Sequence, residues 1–293
     1  MKKISRILVL ALMVLAVASC HKKAKTYSGE TISVVSETID ETEKEAIKSP
    51  KDCSPYDATI ISLNKLKETN SYEIKTTGTS TASVFGVKTT IDISNTRTVV
   101  GSEAMITCIS AGMISSGSQR YFNDSKVYLR KGKVDKKTVS ATFDDTITPE
   151  VITNDEYINR YGWLPFQVFG YIVNKDTLKE DITIKENDNK SFDLKIALKP
   201  DSDAAFYYKR EIGTNAKSPK EPEFVAIDIE ININESFVIN TVKFEEEYKV
   251  VSGDFSFVGA VDTKTSLTDT YNYTDVKFNE DYYKYFKNKI SES

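Results

Sequence analysis

Val225, Ile227, Ile229, Ile231 and Ile233 stand at every second position, and no other feature constrains this chain more. With Asp228, Glu230 and Asn232 between them, they predict a strand that buries one face and wets the other. Val238, Val242, Phe244, Tyr248 and Val250 follow across Asn234-Glu235-Ser236 and make a hairpin partner. The pattern recurs upstream. Tyr72, Ile74 and Thr76 alternate with Glu73, Lys75 and Thr77, and Val87, Thr89, Ile91 and Ile93 alternate with Lys88, Thr90, Asp92 and Ser94. Gln119 to Phe122 and Lys126 to Arg130 flank the turn-forming Asn123-Asp124-Ser125. Ile182 and Ile184 lead through the turn Asn187 to Lys190 into Phe192, Leu194, Ile196 and Leu198, and Thr268 to Phe278 closes the set. At least eight strands in hairpin order predict a large antiparallel sheet with one buried face.

Helical spacing interrupts this order three times, giving an α+β, mainly β fold class. From Asp57 to Asn70, Ile60, Ile61, Leu63, Leu66 and Lys67 predict an amphipathic opening helix. Asn154 to Thr177 reads as a second helix, broken at Pro165. Its apolar residues, Tyr157, Ile158, Tyr161, Trp163, Leu164, Phe166, Phe169, Tyr171 and Ile172, are too many for one stripe, so it must be covered on several sides. Asp201 to Ile212 predicts a shorter helix, with Asp201 or Ser202 as its cap and Phe206, Tyr207 and Ile212 near one face.

The start of the chain reads as an export signal. Lys2, Lys3 and Arg6 precede an apolar run from Ile7 to Val17. Eleven residues span about 17 Å as a helix, short of a hydrocarbon core of about 30 Å. The run ends Val17-Ala18-Ser19-Cys20, which resembles a bacterial lipobox. That resemblance implies a signal peptide over 1–19 and a diacylated Cys20 as the mature N-terminus. It implies a membrane-anchored lipoprotein of the bacterial cell envelope. Residues 20–55 read as the lipidated cysteine and a polar tether, with Val34, Val35 and Ile39 able to dock, and 56–293 as a single β-rich domain.

Composition narrows the function. With 43 acidic and 39 basic side chains there is no basic excess for nucleic acid, and loss of Lys2, Lys3 and Arg6 takes the formal charge from −4 to −7. The one histidine, His21, falls in the tether, so the domain has no histidine for a catalytic triad or a metal cluster. The expectation is a non-enzyme without metal or cofactor, acting as a monomer. Cys53 and Cys108 are free to pair or stay apart in an oxidising compartment.

A cysteine anchor, a tether, a helix running through Leu66-Lys67-Glu68-Thr69-Asn70-Ser71-Tyr72 into a first strand, and a long meander ending in Thr270 to Phe278 resemble the LolA/LppX-like group of bacterial lipoproteins and carriers. The resemblance implies a curved half-barrel, helices packed on its concave face, and an apolar cavity for a lipid or other amphiphile. Arg97, Arg120, Arg130, Arg160 and Arg210 are candidates by type for the arginine of the carriers. The alternative is a structural or protein/glycan-interaction surface lipoprotein without a ligand cavity.

Tyr157, Tyr161, Trp163, Phe166, Phe169 and Tyr171 are the candidate ligand-binding residues, because aromatics with polar tips suit a pocket mouth. Tyr271, Tyr273, Tyr282, Tyr283, Tyr285 and Phe286 make a second group, a terminal clasp or a contact surface. Ser62-Leu63-Asn64-Lys65 matches a serine–lysine spacing but lacks the companion motifs, and reads as surface helix. Among the carboxylates, Glu246 stands out because it shares the parity of Val242, Phe244 and Tyr248. Buried there, it needs a partner such as a lysine or arginine, and a register shift at a bulge is the alternative explanation.

Overall fold

A computed structural model describes residues 33–35, 37–40, 46–84, 87–113, 115–123, 126–161, 166, 169–251 and 259–292. Cys20, His21 and Trp163 lie outside these described residues. Twelve strands are β1 (Ser71–Val84), β2 (Val87–Val100), β3 (Glu103–Ala111), β4 (Ser116–Asn123), β5 (Lys126–Asp135), β6 (Ser140–Phe143), β7 (Glu150–Thr153), β8 (Thr183–Glu186), β9 (Phe192–Ala197), β10 (Glu223–Ile233), β11 (Ile239–Val251) and β12 (Ala260–Asn272). They form one curved, unclosed antiparallel sheet in the order β6-β5-β4-β3-β2-β1-β12-β11-β10-β9-β8, with β7 also on β5. The two ends of the domain therefore meet in its middle, where β1 pairs with β12.

Among the described residues four longer helices complete the fold: α1 (Pro55–Glu68), α2 (Asn154–Tyr161), α3 (Phe206–Asn215) and α4 (Glu280–Ser291). Ser54 caps α1 by accepting from the Asp57 N–H, and Pro55 at the first turn has no N–H to satisfy. Ala58, Ile60, Leu63 and Leu66 then turn inward. Thr153 and Glu156 close a reciprocal capping box at α2.

Parity defines the faces. Ile74, Val99, Ile106, Phe122, Leu129, Leu194, Ile229, Val242 and Phe244 belong to the main core with α1 and with Tyr157 of α2, and α3 joins it where Tyr208 contacts Phe244. Met105, Tyr121 and Tyr128 have the opposite parity and pack with Tyr285 and Phe286 of α4. Hence α1–α3 cover one face, and α4, a helix not expected from the sequence, covers the reverse. The same packing explains why Val127, Tyr128, Leu129 and Arg130 are buried in succession.

Other expectations shift in detail. The helix expected over 154–177 ends at Tyr161 among the described residues, and 169–182 is irregular. Thr177 holds that path by donating to the Ile172 carbonyl and accepting from the Asn174 N–H. The Asp201–Ile212 helix is a 3-10 turn, Asp203–Ala205, capped by Ser202, which leads into α3. The closing strand stops at Asn272, and the aromatics beyond it enter α4 as a clasp. Of the segment read as tether, Val35 is buried, the Val34 carbonyl accepts from Val173 N, and the Glu37 carbonyl accepts from Asn64. No helix among the described residues is long and apolar enough to cross a membrane.

Candidate functional site

The inner face is not apolar throughout. Strand pairing places Asp269, Thr76, Asn95 and Cys108 opposite one another on β12, β1, β2 and β3. The adjacent row runs Tyr271, Ile74, Arg97, Ile106 and Arg120, ending on β4. Apart from Tyr271, these two rows floor a partly enclosed cavity of about 120 Å³. Phe169 and Gly170, Tyr157 of α2, and Tyr208 and Glu211 of α3 lie over it, with Phe244 and Leu267 completing its wall.

Charge sits at both ends. Arg120 donates through Nη1 to the Tyr157 hydroxyl at 2.9 Å, and its guanidinium lies 3.9 Å from the centre of the Tyr161 ring. Its Nε is sealed from solvent without a hydrogen-bond partner. At the other end, Oδ1 of Asp269 is likewise sealed and unpartnered. Burial pushes the Asp269 carboxyl up to about 6, against a hydrogen bond from Thr76 and the nearby charge of Arg97. Behind it, Glu246 is 4% exposed and accepts a 2.6 Å hydrogen bond from the Tyr171 hydroxyl. Burial raises Glu246 to about 7, the Tyr171 bond opposing this and the charges of Glu211 and Asp269 adding to it. Burial, then Glu246 and Asp269, hold the Tyr208 phenol well above its usual range.

The structure separates the six candidate aromatics. Tyr157 and Phe169 line the cavity and are buried. Tyr161 lies beside Tyr157, the ring centres 4.6 Å apart and the planes tilted by 37°, and meets the site through Arg120. Tyr171 is buried behind the wall, stacked on Tyr208 at 4.4 Å. Phe166 is exposed at 38%, its ring edge toward Phe122, and Trp163 is outside the described residues. Of the arginines named by type, Arg97 and Arg120 reach the cavity, whereas Arg130 lies on the reverse face under α4. Asp269, Asn95 and Cys108 escaped sequence reasoning. Asp269 shares the parity of Tyr271, which is the signal that marks it.

The remaining motifs carry no site. Ser62 is buried and donates to the Ala58 carbonyl, while Lys65 reaches the Ser236 carbonyl, so the two do not meet and Ser62 is core, not surface. Cys53 and Cys108 are free thiols, and burial pushes Cys53 up to about 11. No group of three or more His, Cys, Asp or Glu able to hold a metal occurs among the described residues. Two broader hollows, of about 430 and 630 Å³, lie on the reverse face and are open and charged.

No family model matches this chain, and no curated protein does. Among solved structures it is similar to a DUF1329 family protein from Desulfovibrio piger, at 9% identity over 78% of this chain and 95% of that one, with a TM-score of 0.24. It is also similar to MucB in complex with MucA(peri), at 9% identity over 74% of this chain and 93% of that one, with a TM-score of 0.12. Neither likeness is close enough to assign a fold or an activity, and neither adds to the LolA/LppX-like resemblance.

Proposed function

We propose that this chain is a lipid-anchored binding protein of the bacterial cell envelope, held through acylated Cys20, which takes a ligand on the inner face of a half-barrel sheet without covalent chemistry. The observation that carries this reading is the cavity between β12, β1–β4 and the α2 and α3 layer, walled by Arg97, Arg120, Glu211 and Asp269. A core built only for stability has no use for four charged groups around one space, since each costs free energy to desolvate. Helices α1–α3 packed on one face of the curved sheet, and β12 beside β1, support the half-barrel reading.

Cavity size refines the ligand. Pockets for drug-sized ligands run to about 300–1,000 Å³, so 120 Å³ with charged walls suits a small polar molecule or the head group of an amphiphile, and not its acyl chains. The second reading, a surface lipoprotein that contacts protein or glycan without a ligand, draws support from the filling of the inner face by Phe169, Tyr171 and Phe244.

Mass spectrometry of molecules extracted from the purified full chain, with displacement of an apolar fluorophore, tests the reading. A bound small molecule or head group is expected. A chain that carries nothing and displaces nothing favours the second reading. Cys20→Ala is expected to release the protein from membranes, and unchanged fractionation overturns the anchor.

A further inference from the structure

The segment 169–173 over the cavity belongs to no strand or helix, so its polar groups are met one residue at a time by other elements. The Tyr171 hydroxyl reaches Glu246 of β11, the Ile172 N–H donates to the Ala204 carbonyl before α3, and the Val173 N–H donates to the Val34 carbonyl at 3.1 Å. All three residues are buried, Val173 fully, so water has no path to take the place of Val34.

Val34 belongs to the segment that leads back to Cys20, and that segment has fastenings of its own. Val35 is 4% exposed within the main core. The Ser33 hydroxyl donates to the Val35 carbonyl at 2.6 Å and accepts from Lys67 Nζ, while Asn64 Nδ2 donates to the Glu37 carbonyl. Two side chains of α1 thus pin the segment on either side of Val35. Phe169 and Gly170, which line the cavity, precede Val173 by four and three positions. Withdrawal of Val35 from the core takes the Val34 carbonyl with it and orphans the Val173 N–H. Local opening of the cover then lets that N–H reach water.

We propose that Ser33, Val34 and Val35 form a strap that holds the cover shut, so that access to the cavity depends on how the anchored end of the chain is seated. Ser33 follows Cys20 by thirteen positions and precedes α1, so tension from a membrane-held Cys20 arrives at the strap before any helix or strand of the domain. A slack chain leaves the cavity covered, and a taut one uncovers it. This regulation rests on the binding-protein reading above, which supplies both the anchor and the ligand.

Cys108 on β3 lines the cavity as a half-buried free thiol and so reports on the cover. Alkylation of the detergent-solubilised full chain with N-ethylmaleimide, with peptide mass mapping to separate Cys108 from Cys53, tests the strap alongside amide exchange. Val35→Asp is expected to raise the Cys108 rate about tenfold or more and to quicken exchange at 169–173, because a charge does not stay in the core. Asn64→Ala combined with Lys67→Ala removes both pins and leaves Val35 in place. It is expected to act in the same direction by about two- to tenfold, and it decides the matter if the melt of Val35→Asp shows an unfolded chain. Cys108 rates unchanged in the folded variants, or exchange quickened as much in β10 and β11 as in the cover, overturns the strap. Mass spectrometry of extracted molecules separates the two levels. A chain that carries a ligand under a cover indifferent to the strap keeps the broader reading and loses this one. A cover that follows the strap on a chain carrying nothing keeps the coupling and loses the ligand.

Discussion

The Tyr171 hydroxyl donates to Oε1 of Glu246 across 2.6 Å, joining the irregular segment after α2 to the inner face of β11. The bond is the partner that a carboxylate at an inward position requires, and it is neutral in place of the expected lysine or arginine. Burial outweighs that bond, so the Glu246 carboxyl rises from 4.5 to about 7. Between those values the unfolded chain has released a proton that the native chain retains, so native stability falls as pH rises. Asp269, rising from 3.8 to about 6, acts in the same sense. At about 1.4 kcal/mol per pH unit, Glu246 contributes a loss of about 3 kcal/mol across its window. Glu246→Gln retains an acceptor for Tyr171 and is expected to be more stable than wild type at pH 8 and nearly equal at pH 4. Urea denaturation at the two pH values checks this; an unchanged pH slope in the variant refutes it.

Gly170 lies directly against the Tyr208 ring of α3. A Cβ built there meets Cε2 of Tyr208 at 2.2 Å. That ring stacks on Tyr171 at 4.4 Å and lies 6.4 Å from the Phe244 ring, which confine it on those sides. Gly170→Ala is expected to cost about 1–3 kcal/mol by overpacking. The penalty is expected to shrink when Tyr208 is first cut to Ala, because the two changes share one contact. A double-mutant cycle by thermal unfolding measures the difference, and additive effects would falsify the account.

What the sequence made legible follows from the range of each signal. Alternation is local, and the hairpins β1–β2, β8–β9 and β10–β11 join neighbours in the chain, so their residues announced them. Asp269 meets the Arg97 row only because β12 closes against β1, a pairing between residues almost two hundred positions apart that no local pattern encodes. Glu246 was visible as an inward carboxylate, but its partner Tyr171 lay in a stretch whose aromatic density looked helical. Tyr282, Tyr285, Phe286 and Ile290 of α4 recur at helical spacing and form one stripe, yet the segment stood out only for its aromatics, whose number masked the period.

Arg130 fastens α4 to the reverse face. Its guanidinium lies 3.7 Å from the centre of the Tyr285 ring, its Nε donates to Gln119 at 2.8 Å, and its Nη1 meets Asp145 at 2.6 Å. The Asp145 side chain is 74% exposed, so the ion pair itself is screened and worth little. The ring contact and the Gln119 bond are buried and count for more. Arg130→Met is expected to cost about 1–3 kcal/mol and to speed amide exchange in α4, while Asp145→Ala is expected to cost less than about 1 kcal/mol. Exchange mass spectrometry with both variants is decisive. Equal effects would mean that the ion pair, not the aromatic contact, holds the helix.

Val225 tests the register of β10. By spacing it belongs with Ile227 and Ile229, yet it is 50% exposed while Phe224 is buried. The cause is a register shift between Phe224 and Ala226, where β10 pairs with Tyr248 and Glu247 of β11. One extra residue turns the strand over, so parity inverts on the far side of the bulge. Val225→Thr is therefore expected to change stability by less than about 0.5 kcal/mol. Ile227→Ala, two residues on and buried, is expected to cost about 2–5 kcal/mol. Phe224→Ala is expected to fall in the range for a buried aromatic, about 3–5 kcal/mol. Denaturant midpoints of the three variants give the order; a Val225 substitution as costly as the Ile227 one would place the bulge elsewhere.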